Sequence, residues 1–239
     1  MGRPRAARLA AITLVAVAAT GCLPVAVTDQ GSDVAWLYDL FMIAAAAVFA
    51  IVIGLIAWSI LRFRGEPGRD VAHPKPVHGN LALEVTWWAI PTVIVAVLIG
   101  FTWSVLGEVD ARAEEPALTV GVEGFQWGWR FTYEETDLVV SGTAQDPPTL
   151  VLPTGRTVAF VISSHDVVHS FNVPKFLIKR DAIPNHESRF DVLIELEGTY
   201  AGQCGEFCGL LHARQRFEID AVPPDEFDAW LAAESEAEE

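Results

Sequence analysis

Two long apolar runs dominate the first half of the chain. Leu40 to Leu61 and Val85 to Leu106 each extend for 22 positions without a charged side chain. A helix of about 20 residues crosses the ~30 Å hydrocarbon core of a bilayer. Neither run has the polar stripe that a helix in a soluble core would turn to solvent. The pattern therefore predicts two transmembrane helices, over 36–61 and 84–106.

The segment between these runs, 62–83, carries more basic than acidic side chains. Loops rich in Lys and Arg remain on the cytoplasmic side of a membrane, so we expect this loop to be cytoplasmic and both flanks to be outside. The charged residues on which this orientation depends are Arg62, Arg64, Arg69 and Lys75, against Glu66 and Asp70.

The first 21 residues have the anatomy of a secretory signal. Arginines at positions 3, 5 and 8 precede an apolar run from Leu9 to Ala19, and small residues then lead to Cys22. This order is typical of an exported protein. It is also similar to a bacterial lipoprotein signal, in which Cys22 would carry the lipid and become the new N-terminus. The alternative, that Cys22 lies next to an ordinary cleavage site, stays open.

The second half of the chain alternates between short apolar strands and turn residues. ALTVGVEG, TVAFVISS and RFDVLIELEG are three of several such runs. Short strands at this spacing are typical of an antiparallel sandwich or barrel. We therefore predict an external β-domain over 108–222, followed by an acidic C-terminal tail over 223–239.

Composition and charge agree with this division and narrow the class of partner. Hydrophobic residues make up 51% of the chain, and the net charge is −15. The segment 108–239 alone contains 25 acidic and 9 basic residues, a formal charge of −16. A protein that binds nucleic acid needs a basic surface, so this class is excluded and a cationic partner is favoured.

The chemistry is concentrated in CGEFCGLLHARQ, from Cys204 to Gln215. Two thiols are four residues apart, and His212 follows four residues after the second. An exported protein with paired thiols could form a disulfide, and the same residues could bind zinc with one further ligand or copper. Covalent haem is excluded because its attachment needs Cys-x-x-Cys-His. Spacing alone leaves the first three alternatives open.

Four separated segments resemble, in the same order, the subunit II family of haem-copper oxidases. They are HGNLALEVTWWAIP (78–91), GFQWGWRF (124–131), SSHDVVHSFNVPKFLIKRDAIPN (163–185) and TYAGQCGEFCGLLHARQRFEIDAV (199–222). The resemblance implies a two-helix transmembrane hairpin followed by an all-β cupredoxin-like Greek-key barrel. It also implies an electron-transfer subunit of a proton-translocating oxidase that takes electrons from cytochrome c and passes them to haem in subunit I, where oxygen is reduced.

The same resemblance implies a dinuclear copper centre, the CuA type, and its ligands. Cys204 and Cys208 would bridge the two coppers, and His169 and His212 would each bind one of them. Glu206 would supply its backbone carbonyl to one copper, while its side chain would face a magnesium or manganese ion shared with subunit I. His165 competes with His169 on spacing alone, and the resemblance selects His169.

Two further roles follow from the resemblance, and two positions depart from it. Trp127 would be the residue through which electrons enter, although Gly128 stands where the family has tyrosine. Gln215 stands at the position of a methionine ligand, so its binding to copper is uncertain. Glu84 would lie at the entrance of the proton path into subunit I, although a lone carboxylate at the end of a span could equally be a solvated charge.

Two other functions remain to be distinguished. A membrane-anchored copper chaperone of the thioredoxin-like type also uses Cys-x-x-x-Cys, but its histidine lies downstream of the cysteines, whereas His169 lies upstream. A subunit II of a quinol oxidase is structural and has lost its copper ligands, whereas this chain has both thiols and both imidazoles. The sequence therefore favours the copper-bearing subunit.

Overall fold

The computed structural model describes residues 24–64 and 78–237. The predicted signal peptide, Cys22 and most of the predicted cytoplasmic loop lie outside the described residues. The described part divides into two compact units: Trp36–Glu108, and an external unit that joins Val109 onward to the segment before Trp36.

Helix α1 covers Asp29–Phe63 and helix α2 covers Leu81–Val109. Apolar side chains on both helices are largely exposed in the isolated chain, including Phe49 at 67% and Trp103 at 75%. Large exposed apolar surfaces indicate contact with a membrane or with other proteins. Two helices of this length and composition are what the sequence predicted, although each begins before the predicted span and ends after it.

Helix α2 satisfies its own polar side chains. The hydroxyls of Thr86, Thr92 and Thr102 each donate a hydrogen bond to the carbonyl four residues earlier, at 2.7, 2.7 and 2.8 Å. In hydrocarbon, every polar group without such a partner costs free energy. These threonines are therefore compatible with a membrane-spanning helix.

The external unit is built from two five-stranded sheets. The first has the strand order β3-β2-β1-β5-β8 and the second the order β4-β10-β9-β6-β7. The strands are β1 Leu118–Phe125, β2 Gly128–Tyr133, β3 Leu138–Thr143, β4 Thr149–Pro153, β5 Thr157–Ser164, β6 His169–Val173, β7 Ile178–Ala182, β8 Ser188–Leu193, β9 Gly198–Cys204 and β10 Arg216–Val222.

The sequence pattern predicted antiparallel sheets, but both sheets are mixed. β1 pairs with β5 and β4 pairs with β10 in parallel, while the other pairings are antiparallel. Parallel partners need a long crossover connection, and these strands are far apart in sequence. The result is the two-sheet Greek-key arrangement of a cupredoxin-like barrel, which confirms the predicted fold class.

Aromatic side chains fill the space between the sheets. The rings of Phe171 and Phe217 stack at 4.8 Å and those of Phe160 and Phe190 at 4.9 Å. Trp129 packs edge-on against both Phe171 and Phe217 and is fully buried. Aromatic packing of this kind contributes beyond simple area burial, and it gives the strands that end near the cysteines a rigid base.

The segment before the first span belongs to the external unit, which the sequence did not predict. Val27 and Thr28 are buried, and the Val27 carbonyl accepts a hydrogen bond from the Glu195 amide at 2.9 Å. The Asp29 carboxylate accepts another from the Leu193 amide at 3.1 Å. The chain is therefore bonded to the end of β8 just before it continues into α1.

The predicted acidic tail contains a helix that packs on the barrel. Helix α3 covers Pro224–Ala237. Phe227 is buried, and its ring lies 6.3 Å from that of Tyr133. Asp228 accepts two hydrogen bonds from Arg156, at 2.7 and 2.8 Å. The start of this segment is thus part of the folded domain rather than a free end.

We expect Phe160→Ala to lower the free energy of unfolding by about 3–5 kcal/mol, because it removes a fully buried ring and leaves a cavity. Guanidinium unfolding of the full chain in detergent micelles, followed by near-ultraviolet circular dichroism, measures the effect. The matched control is Val139→Ala, whose side chain is 43% exposed and should change stability by less than about 0.5 kcal/mol. Equal losses for the two variants would contradict the described core.

Candidate metal centre

Strand pairing brings the predicted ligands together at one end of the barrel. β6 begins at His169 and pairs with the end of β9, where Phe171 is opposite Cys204. Cys208 and His212 follow on the loop that returns from β9 to β10. His169 is fully buried, and Cys204 and Cys208 are 6% and 4% exposed. Two separate stretches of sequence, the start of β6 and the segment 204–212, therefore meet in one cluster.

The two sulfurs lie close together, and each has an imidazole nitrogen beside it. Cys204 Sγ and Cys208 Sγ are 3.8 Å apart. Nδ1 of His169 is 3.8 Å from Cys204 Sγ, and Nδ1 of His212 is 3.7 Å from Cys208 Sγ. A disulfide needs about 2.05 Å, whereas metal–sulfur bonds of about 2.3 Å would let one ion contact both sulfurs. The geometry is that of free thiols arranged for metal.

The protein environment treats the two thiols differently. Burial by itself raises the pKa of the Cys204 thiol, but hydrogen bonds from His169 and the backbone outweigh burial and lower it. Burial, and then the negative charge of Cys204, raise the pKa of Cys208. Metal binding requires both thiols to be deprotonated. A cation would therefore relieve the repulsion that opposes ionisation of the second thiol.

Gln215 is fully buried within this cluster. Its Oε1 lies 2.9 Å from Cys208 Sγ and 3.0 Å from His169 Nδ1. Its Nε2 donates hydrogen bonds to the carbonyls of Gly128 at 2.9 Å and Phe125 at 3.2 Å. An amide nitrogen is a donor and a carbonyl oxygen accepts only, so these two bonds fix the side chain with its oxygen towards the cysteines.

Glu206 contributes its backbone and its side chain to different surroundings. Its carbonyl oxygen lies 3.2 Å from Cys204 Sγ. Its carboxylate is partly exposed and forms an ion pair with Lys179, which also lies 3.3 Å from Asp181. The carbonyl is therefore part of the buried cluster, whereas the carboxylate faces the surface.

The turn between β1 and β2 covers the loop that carries Cys208. The carbonyl of Cys208 accepts hydrogen bonds from Trp127 Nε1 at 3.2 Å and from Gln126 Nε2 at 2.7 Å. Gly209 follows with a φ of 120°, and a Cβ there would lie 3.1 Å from the Trp127 ring. Only glycine fits this close approach without strain. Trp127 is half-buried and Trp129 is fully buried, so the two tryptophans of the motif have different surroundings.

The remaining predicted residues do not join the cluster. The side chain of His165 is 71% exposed and lies 3.6 Å from Glu123, so it is separate from the cysteines. Glu84 lies in the first turn of α2, where its carboxylate accepts a hydrogen bond from the Asn80 amide at 3.2 Å. Asn80 in turn accepts one from the Leu83 amide at 3.2 Å. Glu84 thus helps to cap the helix.

Two residues of the site carried no recognised signal in the sequence. Asp166 lies against His169, with Oδ1 2.8 Å from Nε2, and Gln126 contacts Cys208. Both lie inside the quoted motifs, three residues before His169 and one before Trp127. Gln126 contacts Cys208 across 82 positions, which leaves no periodic pattern in the sequence. Asp166 is only three residues from His169, but this spacing alone does not show that the carboxylate contacts Nε2.

These features define a class of protein before any comparison is made. A cupredoxin-like barrel follows a pair of membrane-type helices and contains a buried His169, Cys204 and Cys208 group whose ligand atoms lie within 4.8 Å of one another. Thiolate and imidazole together suit copper. The chain is a membrane-anchored protein with a copper-type ligand group in its external domain.

Comparison with known proteins gives the family. The model of the transmembrane domain of cytochrome c oxidase subunit II matches residues 16–104, and that of its periplasmic domain matches residues 144–222. A probable cytochrome c oxidase subunit 2 from Streptomyces coelicolor is 33% identical, over 91% of this chain and 83% of the relative. Cytochrome c oxidase subunit 2 from Alkalihalophilus pseudofirmus is 32% identical, over 95% of this chain and 68% of the relative.

The chain belongs to the cytochrome c oxidase subunit II family. Among solved structures, the periplasmic domain of cytochrome oxidase subunit II from Bradyrhizobium japonicum is 25% identical, with a TM-score of 0.48, and covers 53% of this chain and 99% of that domain. Because the chain belongs to this family, it is the electron-transfer subunit of a haem-copper oxidase, with a periplasmic domain, a membrane anchor and other oxidase subunits as partners. A copper chaperone or a copper-free quinol oxidase subunit is not favoured.

Proposed function

We propose that this chain holds a dinuclear copper centre, which receives single electrons from cytochrome c and passes them to haem in subunit I. The carrying observation is the pair of sulfurs 3.8 Å apart, each with an imidazole nitrogen within 3.8 Å. A mononuclear Cys₂His₂ site would bring both imidazoles to one ion. Here the ligand atoms of His169, Cys204 and Cys208 lie within 4.8 Å of one another, and His212 is not part of that group. Two imidazoles, one at each sulfur, favour two metal ions.

We assign the ligands from the contacts that support them. Cys204 and Cys208 would each contribute their sulfur to both ions, because each sulfur is close to the other and to one imidazole. His169 and Gln215 would bind the same ion, since Nδ1 and Oε1 lie 3.0 Å apart. His212, which lies beside Cys208, and the carbonyl of Glu206, which lies beside Cys204, would bind the other ion.

When bound, the copper pair supplies a reversible one-electron carrier. The surrounding residues would hold the ligands in the same positions in the oxidised and the reduced state. The two stretches that bear the proposed ligands belong to or adjoin strands β6, β9 and β10, and the Gln215 amide is held by two carbonyls. Little atomic movement accompanies the transfer, which favours a fast rate.

We propose that the Glu206 carboxylate binds a magnesium or manganese ion at the boundary with subunit I. Carboxylate oxygen is a preferred ligand of both ions. Its position at the surface, with its backbone in the copper cluster, supports this role. In the isolated chain the Glu206 carboxylate forms an ion pair with Lys179. The metal ion would replace the Lys179 ammonium group as its partner when the subunits assemble.

We propose two further roles at the membrane. Glu84 takes part in proton uptake by subunit I, which its location near the end of a span supports, although its capping bond to Asn80 also explains a carboxylate there. Cys22 carries a lipid anchor on the outer side, which the small residues before it support. In the sequence, Cys22 lies only a few positions before the segment that is hydrogen-bonded to the barrel.

Cys204→Ser and Cys208→Ser should each abolish the spectrum of the copper pair, because either thiolate contacts both ions. Copper content and the electron paramagnetic resonance spectrum of the purified full chain measure this, with two coppers sharing one unpaired electron expected for the wild type. Cys22→Ser is the matched control and should leave the spectrum intact. One copper per chain in the wild type, or loss of the signal in the control, would refute the assignment.

Gln215→Met should raise the reduction potential of the centre, because a thioether favours reduced copper more than an amide oxygen does and axial ligands tune the potential on the order of tens of millivolts. A redox titration of copper-loaded protein measures the shift. Gln203→Met is the matched control, since this glutamine is exposed on β9. An unchanged or lower potential in copper-loaded Gln215→Met would show that the amide is not a ligand.

Turnover at limiting cytochrome c should fall as ionic strength rises, because the external charge of −16 attracts a basic donor and such attraction is screened beyond about 8 Å at physiological salt. Trp127→Phe should slow electron input further at every salt concentration. The copper spectrum of this variant must match the wild type, since it also loses the bond to Cys208. A flat salt response would contradict electrostatic docking, and a wild-type rate in the variant would remove the role of Trp127.

A further inference from the structure

Asp166 lies against the ring nitrogen of His169 that points away from the cysteines. Its Oδ1 is 2.8 Å from Nε2, while Nδ1 of the same ring is 3.8 Å from Cys204 Sγ. An ionised carboxylate only accepts hydrogen bonds, so this contact places a proton on Nε2. The other ring nitrogen, Nδ1, faces Gln215 Oε1 at 3.0 Å and Cys204 Sγ. When a metal ion is bound, Nδ1 would present its lone pair to that ion.

The Asp166 carboxylate is itself held in a fixed orientation. Oδ1 also accepts a hydrogen bond from the Val167 amide at 2.6 Å, and Oδ2 accepts one from the Gln126 amide at 2.8 Å. Both oxygens are therefore engaged, although the side chain is still 28% exposed. Because backbone amides fix the Asp166 carboxylate, it can determine the orientation of the His169 ring.

The same contacts connect the histidine side of the cluster with the cysteine side. Gln126 uses its backbone amide for Asp166 and its side chain for the Cys208 carbonyl, at 2.7 Å. A hydrogen-bonded path thus runs from Cys208 through Gln126 and Asp166 to His169. Gln126 and Asp166 are not assigned as ligands, so the path surrounds the metal-binding atoms without taking part in binding.

We propose that Asp166 is a positioning residue of the metal centre, which fixes the tautomer and ring orientation of His169 and increases the electron density at its ligand nitrogen. Outer partners of this kind commonly set the tautomer and basicity of a metal-bound imidazole. This inference rests on the proposed function for the identity of the metal. The orientation of His169 holds for the metal-free chain as well.

The first test uses metal-free, reduced full chain in detergent micelles with ¹⁵N-labelled histidine. In the wild type, the His169 ring should carry a proton on Nε2, and this proton should exchange slowly with water. Asp166→Ala should speed the exchange of this proton. Asp166→Asn should lie between them, because its amide oxygen still accepts a hydrogen bond without the negative charge.

Glu123→Gln is the matched control. Its carboxylate is also 28% exposed and lies beside the same loop, 3.6 Å from His165, but its other contact is Arg130 rather than a ligand. This variant removes one negative charge from the same region and should leave the His169 ring unchanged. Any general effect of surface charge would therefore appear equally in both neutralised variants.

The second test measures the reduction potential of the copper-loaded proteins. Asp166→Asn and Asp166→Ala should raise it, because a less electron-rich imidazole stabilises oxidised copper less, and Glu123→Gln should raise it by a smaller amount. A His169 proton that exchanges as in the wild type in Asp166→Ala, or equal shifts in Asp166→Asn and Glu123→Gln, would overturn the proposal. If the wild type bound a single copper, the proposed function would fail while the proton-exchange result would still decide the role of Asp166.

Discussion

The arrangement of the proposed metal ligands depends on the double pairing of the end of strand β9. On one side β9 pairs with β6, where Phe171 is opposite Cys204, and the amide of Gly205 donates to the carbonyl of Ser170 at 2.9 Å. On the other side the amide of Cys204 donates to the carbonyl of Gln215 at 2.9 Å. Because hydrogen-bonded neighbours in a sheet are about 4.8 Å apart, this pairing delivers ligands from two distant stretches to the sides of one cysteine. A shift in either register would separate Cys204 from His169 or from Gln215.

The second constraint is that the remaining ligands lie on a loop rather than on strands. Loops are mobile unless other groups hold them, yet a carrier of electrons needs ligands that barely move. The turn between β1 and β2 supplies the restraint, since Gln126 and Trp127 both donate to the carbonyl of Cys208 and the carbonyls of Phe125 and Gly128 accept from Gln215. One short turn thus restrains two ligands directly. It also explains why glycine suits position 128, where a Cβ would lie 2.2 Å from the Gly142 carbonyl.

The sequence predicted those parts of the molecule that depend on local pattern or on a contiguous motif. Uncharged runs of 22 residues identified the two membrane helices, and the resemblance identified the cysteines, His169 and His212. The position of Val27 and Thr28 against the end of β8 could not be predicted, because it depends on contacts between residues more than 160 positions apart. Asp166 was missed for another reason: it is only three residues before His169, but the sequence does not show that its carboxylate contacts Nε2 of the ring. For His165 the reverse holds: its spacing made it a candidate ligand, but in the fold its side chain faces solvent.

Trp127 has two roles at once: it is the proposed entry point of electrons, and it restrains the loop that carries Cys208. The indole is half-buried, which suits its proposed role in electron entry, and its N–H group donates a hydrogen bond to the carbonyl of Cys208, a proposed copper ligand. The indole provides one hydrogen-bonded connection between the surface and Cys208. The same bond restrains the loop, so removal of the ring changes both the path and the rigidity of the ligand. The neighbouring bond from Gln126 to the same carbonyl, at 2.7 Å, retains part of the restraint when the indole is lost. The fold therefore allows electron input to be separated from ligand geometry, because two donors hold one carbonyl and only one of them is aromatic.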